Sequence, residues 1–175
     1  MNERTKHIIA AIVIAAAAAM LYAGTIHNPF VWDDKYLISD NRFIADTHNI
    51  ANLFSQKYFS QKFELSYRPA GTLLLFAGHA LSGASPEGYR AISIGLHALC
   101  SAMLLFFLML VISDTGTKPR AAFAAAFAAA LLFALHPANT EAINEATFNE
   151  DPLCLALTFA AFFFFRSWLR SGSAA

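Results

Sequence analysis

The chain has 175 residues, of which 57% are hydrophobic and 14% charged, and its mean hydropathy is +0.48. A soluble globular domain carries about 25% charged residues, so this composition excludes an ordinary water-soluble fold and indicates an integral membrane protein. Twelve Lys and Arg balance twelve Asp and Glu, which excludes the basic excess of a nucleic-acid-binding protein and puts the information into where the charges lie.

From His7 to Trp32 there is no charged side chain. The apolar core of that run, IIAAIVIAAAAAMLYA at 8–23, follows Arg4 and Lys6. A cleavable signal peptide has a similar look, but this core exceeds the usual ~7–15 apolar residues, and Leu21 spoils the small-x-small site before Gly24. The run is read as a retained membrane helix at 7–24 with its N-terminus cytoplasmic, which places Asp33 and Asp34 on the outer side.

A segment of more than sixty residues follows, 25–89, too long for a mere connector. Within it, NIANLFSQKYFSQKF at 49–63 puts Ile50, Leu53, Phe54, Tyr58 and Phe63 near one helical face, with Gln56, Lys57 and Gln61 elsewhere. That pattern predicts an amphipathic helix lying on the membrane, a short globular loop being the alternative. PAGTLLLFAGHAL at 69–81 has only 13 uncharged residues against the ~17–25 a span requires, so a second interfacial helix is expected at 69–82.

Three further apolar runs predict spans at 90–112, 119–136 and 152–169, giving about four in all, with an outer loop at 137–151. This layout puts Arg4, Lys6, Lys118, Arg120, Arg166 and Arg170 on the cytoplasmic side and the acidic NTEAINEATFNED on the other. Counting 69–82 as a fifth span would reverse that bias. The compact loops point to a bacterial inner membrane. Cys100 and Cys154 lie in apolar runs without metal-ligand spacing and are read as buried thiols. The Ala-rich runs at 15–19 and 121–130 suit close helix packing.

Two polar clusters fall on the expected outer side. One is WDDKYLISDN, with Asp33 and Asp34 adjacent; the other is LHPANTEAINEATFNED. Adjacent carboxylates near lipid must be hydrated, paired or bound to a cation, and their repulsion can raise one pKa enough for general-base work; an ordinary solvated loop is the plain alternative. Pro137 should end the third span after His136, and a short helix from Thr140 would put Glu141 and Asn144 on one face. His136 is either part of a site or an interfacial imidazole, and Glu145 and Glu150 are read as solvated. Arg68, before Pro69 in YRPAG, offers a bidentate match to a phosphate or meets lipid headgroups.

The order of these pieces is more specific than any one of them. F-x-W-D-D, Y-R-P, G-A-S-P-E-G-Y-R-A-I-S-I-G-L-H and A-L-L-F-A-L-H-P-A-N-T-E-A-I-N, followed by Asp151 and an apolar run, resemble the N-terminal part of the GT-C membrane glycosyltransferases. Within these the chain is most similar to the protein O-mannosyltransferase-like proteins with C-terminal tetratricopeptide repeats. The resemblance covers 30–165. It implies an all-α membrane module that helps move a sugar, mannose for example, from a polyprenyl-phosphate donor to a hydroxyl of a protein or glycan acceptor at the outer face. It carries the catalytic base or a divalent cation site (Mg or Mn) to Asp33 and Asp34, and donor or acceptor contacts to His136, Glu141, Asn144 and Asp151. Two departures accompany it. Asn149 stands where an arginine is frequent, with Pro152 following Asp151, and the family continues for several more spans. The expectation is therefore an N-terminal fragment, a split product whose other spans come from a separate chain, or a degenerate, non-catalytic copy that binds lipid or a partner.

Overall fold

A computed structural model of the chain describes residues 2–60 and 66–172. Among the described residues the regular elements are all helical: α1 (Glu3–Ala23), α2 (Arg42–Ala45), α3 (Pro69–Ser82), α4 (Pro86–Asp114), α5 (Pro119–Leu135), α6 (Thr140–Asn144) and α7 (Glu150–Arg170), joined by short π and 3-10 segments. The chain divides into two compact units. Unit 1 is Met1–Leu21, Leu96–Pro137 and Leu153–Ala175; unit 2 is Tyr22–Gly95 and Ala138–Pro152.

Unit 1 is held by small side chains. α5 buries Ala122, Ala126, Ala130 and Ala134, one every four residues, and the last three cluster with Ala10, Ala11, Ile14, Ala18 and Leu105. Methyl-sized side chains let backbones approach closely, and in lipid it is this van der Waals contact that associates helices. Large apolar side chains, among them Ile12, Met20, Leu132, Phe164 and Trp168, are left exposed. Facing water, each would forgo about 25 cal/mol per Å2 of apolar burial; facing lipid, none does.

α1, α4 and the stretch Ala146–Arg170 are each long and apolar enough to cross a membrane. The chain is thus an integral membrane protein with three candidate spans. A fourth exists only if Pro119–Leu135 and Pro137–Asn144 count as one span across a 48° bend. The bend has a local cause. Pro137 disfavours helical backbone in the residue before it, and His136 is extended at φ −73, ψ 130.

Unit 2 has an aromatic core: Ile38, Ile44, Leu53, Tyr58, Leu75, Phe76, Tyr89 and Ala146, with Phe30 and Phe43 packed against it. α3 is 14 residues long, about 21 Å at ~1.5 Å per residue, short of the ~30 Å hydrocarbon core. It runs close against the start of α4. A Cβ on Gly78 would sit 2.4 Å from the Tyr89 ring, and one on Gly88 would sit 2.7 Å from the Gly78 carbonyl oxygen.

Two expectations need correcting. The single amphipathic helix expected at 49–63 is replaced by two 3-10 segments, Thr47–Asn52 and Gln56–Ser60; Gln61 and Phe63 lie outside the described residues. Side chains capture the local amides: Asp46 accepts from the His48 N–H at 3.0 Å and Ser55 from the Lys57 N–H at 3.2 Å, which competes with an uninterrupted helical ladder. Leu53 and Tyr58 consequently enter the protein core, while Phe54 and Phe59 stay exposed. The second correction is Cys154, which is exposed on α7, whereas Cys100 is buried.

Candidate functional site

Trp32 has a φ of 46°, in the left-handed region that costs a residue with a Cβ roughly 1–2 kcal/mol. The turn is closed by the Asp34 N–H donating to the Val31 carbonyl at 3.0 Å. Its consequence is to give the two adjacent aspartates different surroundings. Asp33 is exposed; Asp34 is 0% exposed.

Asp34 is tied into the protein from two sides. Its Oδ1 accepts from the Thr147 N–H at 3.0 Å, and its Oδ2 lies 3.9 Å from Nη2 of Arg90. Arg90, 1% exposed in the second turn of α4, also donates from Nη2 to the Pro29 carbonyl at 2.9 Å. The loop that carries Asp34, the helix that carries Arg90 and the segment around Thr147 thus meet at one carboxylate. Burial pushes the Asp34 carboxyl above its ordinary pKa, against the Thr147 and Ala146 amides and the Arg90 charge, which favour the anion.

A third carboxylate joins them. Glu145 is buried, and its Oε1 accepts from the backbone N–H of Asp33 at 3.3 Å. Its pKa is also raised, first by burial and then by the charges of Asp34, Asp33 and Glu141, with the Asp33 N–H opposing. Sequence reading took Glu145 for a solvated residue and assigned Arg90 no role; both belong to this cluster. A signal for Arg90 was present. Arg90, Ser93, His97 and Ser101 recur at helical spacing on α4 and all four are buried, a polar stripe on an otherwise apolar helix.

Arg68 caps α3 from outside, with Pro69 in its first turn. Its N–H donates to the Tyr58 hydroxyl at 3.1 Å, which also bonds Thr72 Oγ1 at 3.0 Å. Its guanidinium pairs with the Glu150 carboxylate, so Glu150 is not freely solvated either. Asp151 is exposed in the first turn of α7 and Glu141 is exposed on α6. Asn144 is half-buried on α6, and Asn149 is buried with neither amide atom hydrogen-bonded among the described residues. Asp33, Asp34, Arg68, Glu141, Asn144 and Asp151 all fall in unit 2, whereas His136 is exposed in unit 1.

Among the described residues no three His, Cys, Asp or Glu side chains are grouped to hold a metal ion. Asp34 is already engaged by Arg90 and the Thr147 amide. A Mg or Mn ion held by protein side chains alone does not fit these residues. What the cluster does offer is an exposed carboxylate, Asp33, beside a second carboxyl of raised pKa, Glu145, on a frame fixed by Asp34 and Arg90. That arrangement can take a proton from an incoming hydroxyl.

An all-helical membrane protein carrying a loop-borne carboxylate cluster is the class that fold and site define. Its relatives are more particular. The chain is 28% identical over 171 residues to the human protein O-mannosyl-transferase TMTC4, covering 91% of this chain and 22% of that protein. It is 30% identical over 171 residues to the mouse protein O-mannosyl-transferase TMTC1 (94% of this chain, 17% of that protein). Against the Drosophila melanogaster protein O-mannosyl-transferase Tmtc1 it is 32% identical over 137 residues (74% and 15%). The chain spans about a fifth of the length of these relatives, and their names support an O-mannosyl-transferase-like relationship. No protein-family model and no solved structure matches it.

Proposed function

We propose that the chain forms the first part of a membrane glycosyltransferase of GT-C type. It would move a sugar, mannose by analogy with the relatives' names, from a polyprenyl-phosphate donor to a protein or glycan hydroxyl. The observation that carries this reading is the pairing of the aspartates of the first loop with the 145–147 segment, through the contacts of Asp33 with Glu145 and Asp34 with Thr147. In the reaction, the acceptor oxygen bonds to the anomeric carbon and its proton passes to the Asp33 carboxylate. The bond from that carbon to the phosphate oxygen breaks, and polyprenyl phosphate leaves with the electron pair. Asp34 and Arg90 position the base. Arg68 meets the departing phosphate by exchanging it for Glu150. Glu141, Asn144, Asp151 and His136 contact donor or acceptor, and exposed Phe54, Phe59 and Tyr67 border the lipid entrance. No step is routed through a divalent cation.

The orientation that goes with this reading has the N-terminus in the cytoplasm and the acidic loops outside. The relatives come from human, mouse and fly, which lends no support to a bacterial inner membrane. A second reading, a non-catalytic subunit that binds lipid or a partner chain supplying further spans, is favoured by Asn149 in place of a cation. The two separate in one experiment. A radiolabelled polyprenyl-phosphate sugar is offered to the chain in nanodiscs, with and without Mg or Mn, and binding is compared with that of an Arg68→Gln variant. The enzyme reading predicts saturable binding that weakens in the variant; no binding by a helical, monodisperse sample would contradict it.

A further inference from the structure

Unit 1 holds a cavity that the glycosyltransferase reading does not use. It has a volume of about 720 Å3 and opens between the start of α1, the end of α4 and the start of α5. Its polar wall carries Lys6 and Arg120, with Glu3 and His7; Met109 and Phe123 form part of its apolar wall. Next to it is a cavity of about 470 Å3 that shares His7 and Met109 and is otherwise lined by Phe106, Leu110 and Phe163. One compartment is cationic at its mouth, the adjoining one is apolar, and both belong to helices of a membrane protein.

The charges leave an anion unaccounted for. Lys6 is paired with Glu3 at 2.5 Å, but the Arg120 guanidinium has no hydrogen bond or ion pair among the described residues. α5 has no acidic residue in its first turn, and no side chain caps it, so its positive end adds to the Arg120 charge. A free phosphate would satisfy the first compartment and leave the second empty. A lipid with an anionic headgroup satisfies both, its phosphate at Arg120 and Lys6 and an acyl chain along Phe106, Leu110 and Phe163.

We propose that these two adjacent cavities are a binding site for an anionic phospholipid, retained between α1, α4, α5 and α7. Basic pockets between membrane helices select anionic lipids because each Lys or Arg attracts the headgroup where little water screens it. The site is distinct from the Asp33 cluster, which lies in unit 2.

The test is native mass spectrometry of the chain equilibrated with equimolar phosphatidylglycerol and phosphatidylcholine of identical acyl chains. The expected result is about thirtyfold preferential retention of phosphatidylglycerol, as two basic contacts would give. The preference should fall to near parity in Lys6→Gln/Arg120→Gln, whose helical circular dichroism should match wild type. Phe163→Trp, which fills the apolar compartment, should reduce retention of phosphatidylglycerol while leaving the charges in place. Equal retention of both lipids by wild type, or a preference that survives the double substitution, would overturn the proposal. So would displacement of the lipid by glycerol phosphate without acyl chains at equal concentration, which would make it a site for a free anion.

Discussion

The two units of this chain solve opposite problems with the same helical vocabulary. Unit 1 packs alanine against alanine and turns its large side chains outward, so that its strength is closeness of approach and its exterior is fit for lipid. Unit 2 keeps Tyr58, Tyr89 and Phe76 in its core and takes in charge as well, with Asp34, Arg90 and Glu145 buried. Close packing of small apolar side chains gives a scaffold; buried opposite charges, with Asp34 Oδ2 3.9 Å from Arg90 Nη2, give a positioned site at a cost in stability that any broken pair makes visible.

The largest effect should come from breaking that charge set. Arg90→Ala leaves Asp34 buried without its cation, which should cost about 3–5 kcal/mol and show as a steep fall in thermal midpoint in detergent. Arg90→Met combined with Asp34→Asn should recover much of it, because no lone charge is then buried. In unit 1 the corresponding break is steric. Ala126→Leu should cost about 1–3 kcal/mol by overfilling the small-residue seam, while Leu132→Ala, on an exposed position, should leave the midpoint nearly unchanged in the same assay.

Glu145 sharpens the comparison through pH. Its carboxyl is raised above its ordinary 4.5, so the folded chain holds this proton more tightly than the unfolded chain. Its ionisation therefore lowers stability as pH rises from that value through the folded pKa. Glu145→Gln removes the ionisation and should show a smaller fall in midpoint than wild type over that range; parallel profiles would contradict it. Smallest should be Asp114→Asn, which breaks the ion pair with Arg166 at an exposed carboxylate and should leave the midpoint close to that of wild type.

Much of unit 1 could be read directly, because hydropathy and alanine spacing report on lipid and on close packing, and because Pro137 has a local effect on His136 that needs no tertiary context. The α5 span was the exception: its 17 residues are marginal, and the 48° size of the bend beyond them is read from geometry and not from the presence of Pro137. Unit 2 was less legible. The 49–63 segment has helical periodicity, yet Asp46 and Ser55 capture its amides and Tyr58 is buried by its bond to Thr72, neither of which is a property of the pattern. At the site, Asp33 and Asp34 stood out, but their inequivalence rests on the Trp32 backbone and on Arg90, which lies more than fifty residues away. Glu145 was misread because an acidic loop looks solvated unless one knows that the Asp33 amide reaches it.

The central claim is that the two aspartates divide the work, Asp34 holding the site together and Asp33 reacting. The most direct test measures thermal midpoint and sugar transfer from a polyprenyl-phosphate donor, in parallel, for Asp33→Asn and Asp34→Asn in an assembly containing this chain. The account predicts that Asp33→Asn keeps its midpoint and loses transfer by about 10²–10⁴-fold, whereas Asp34→Asn loses stability first. A stable, inactive Asp34→Asn beside an active Asp33→Asn would contradict it.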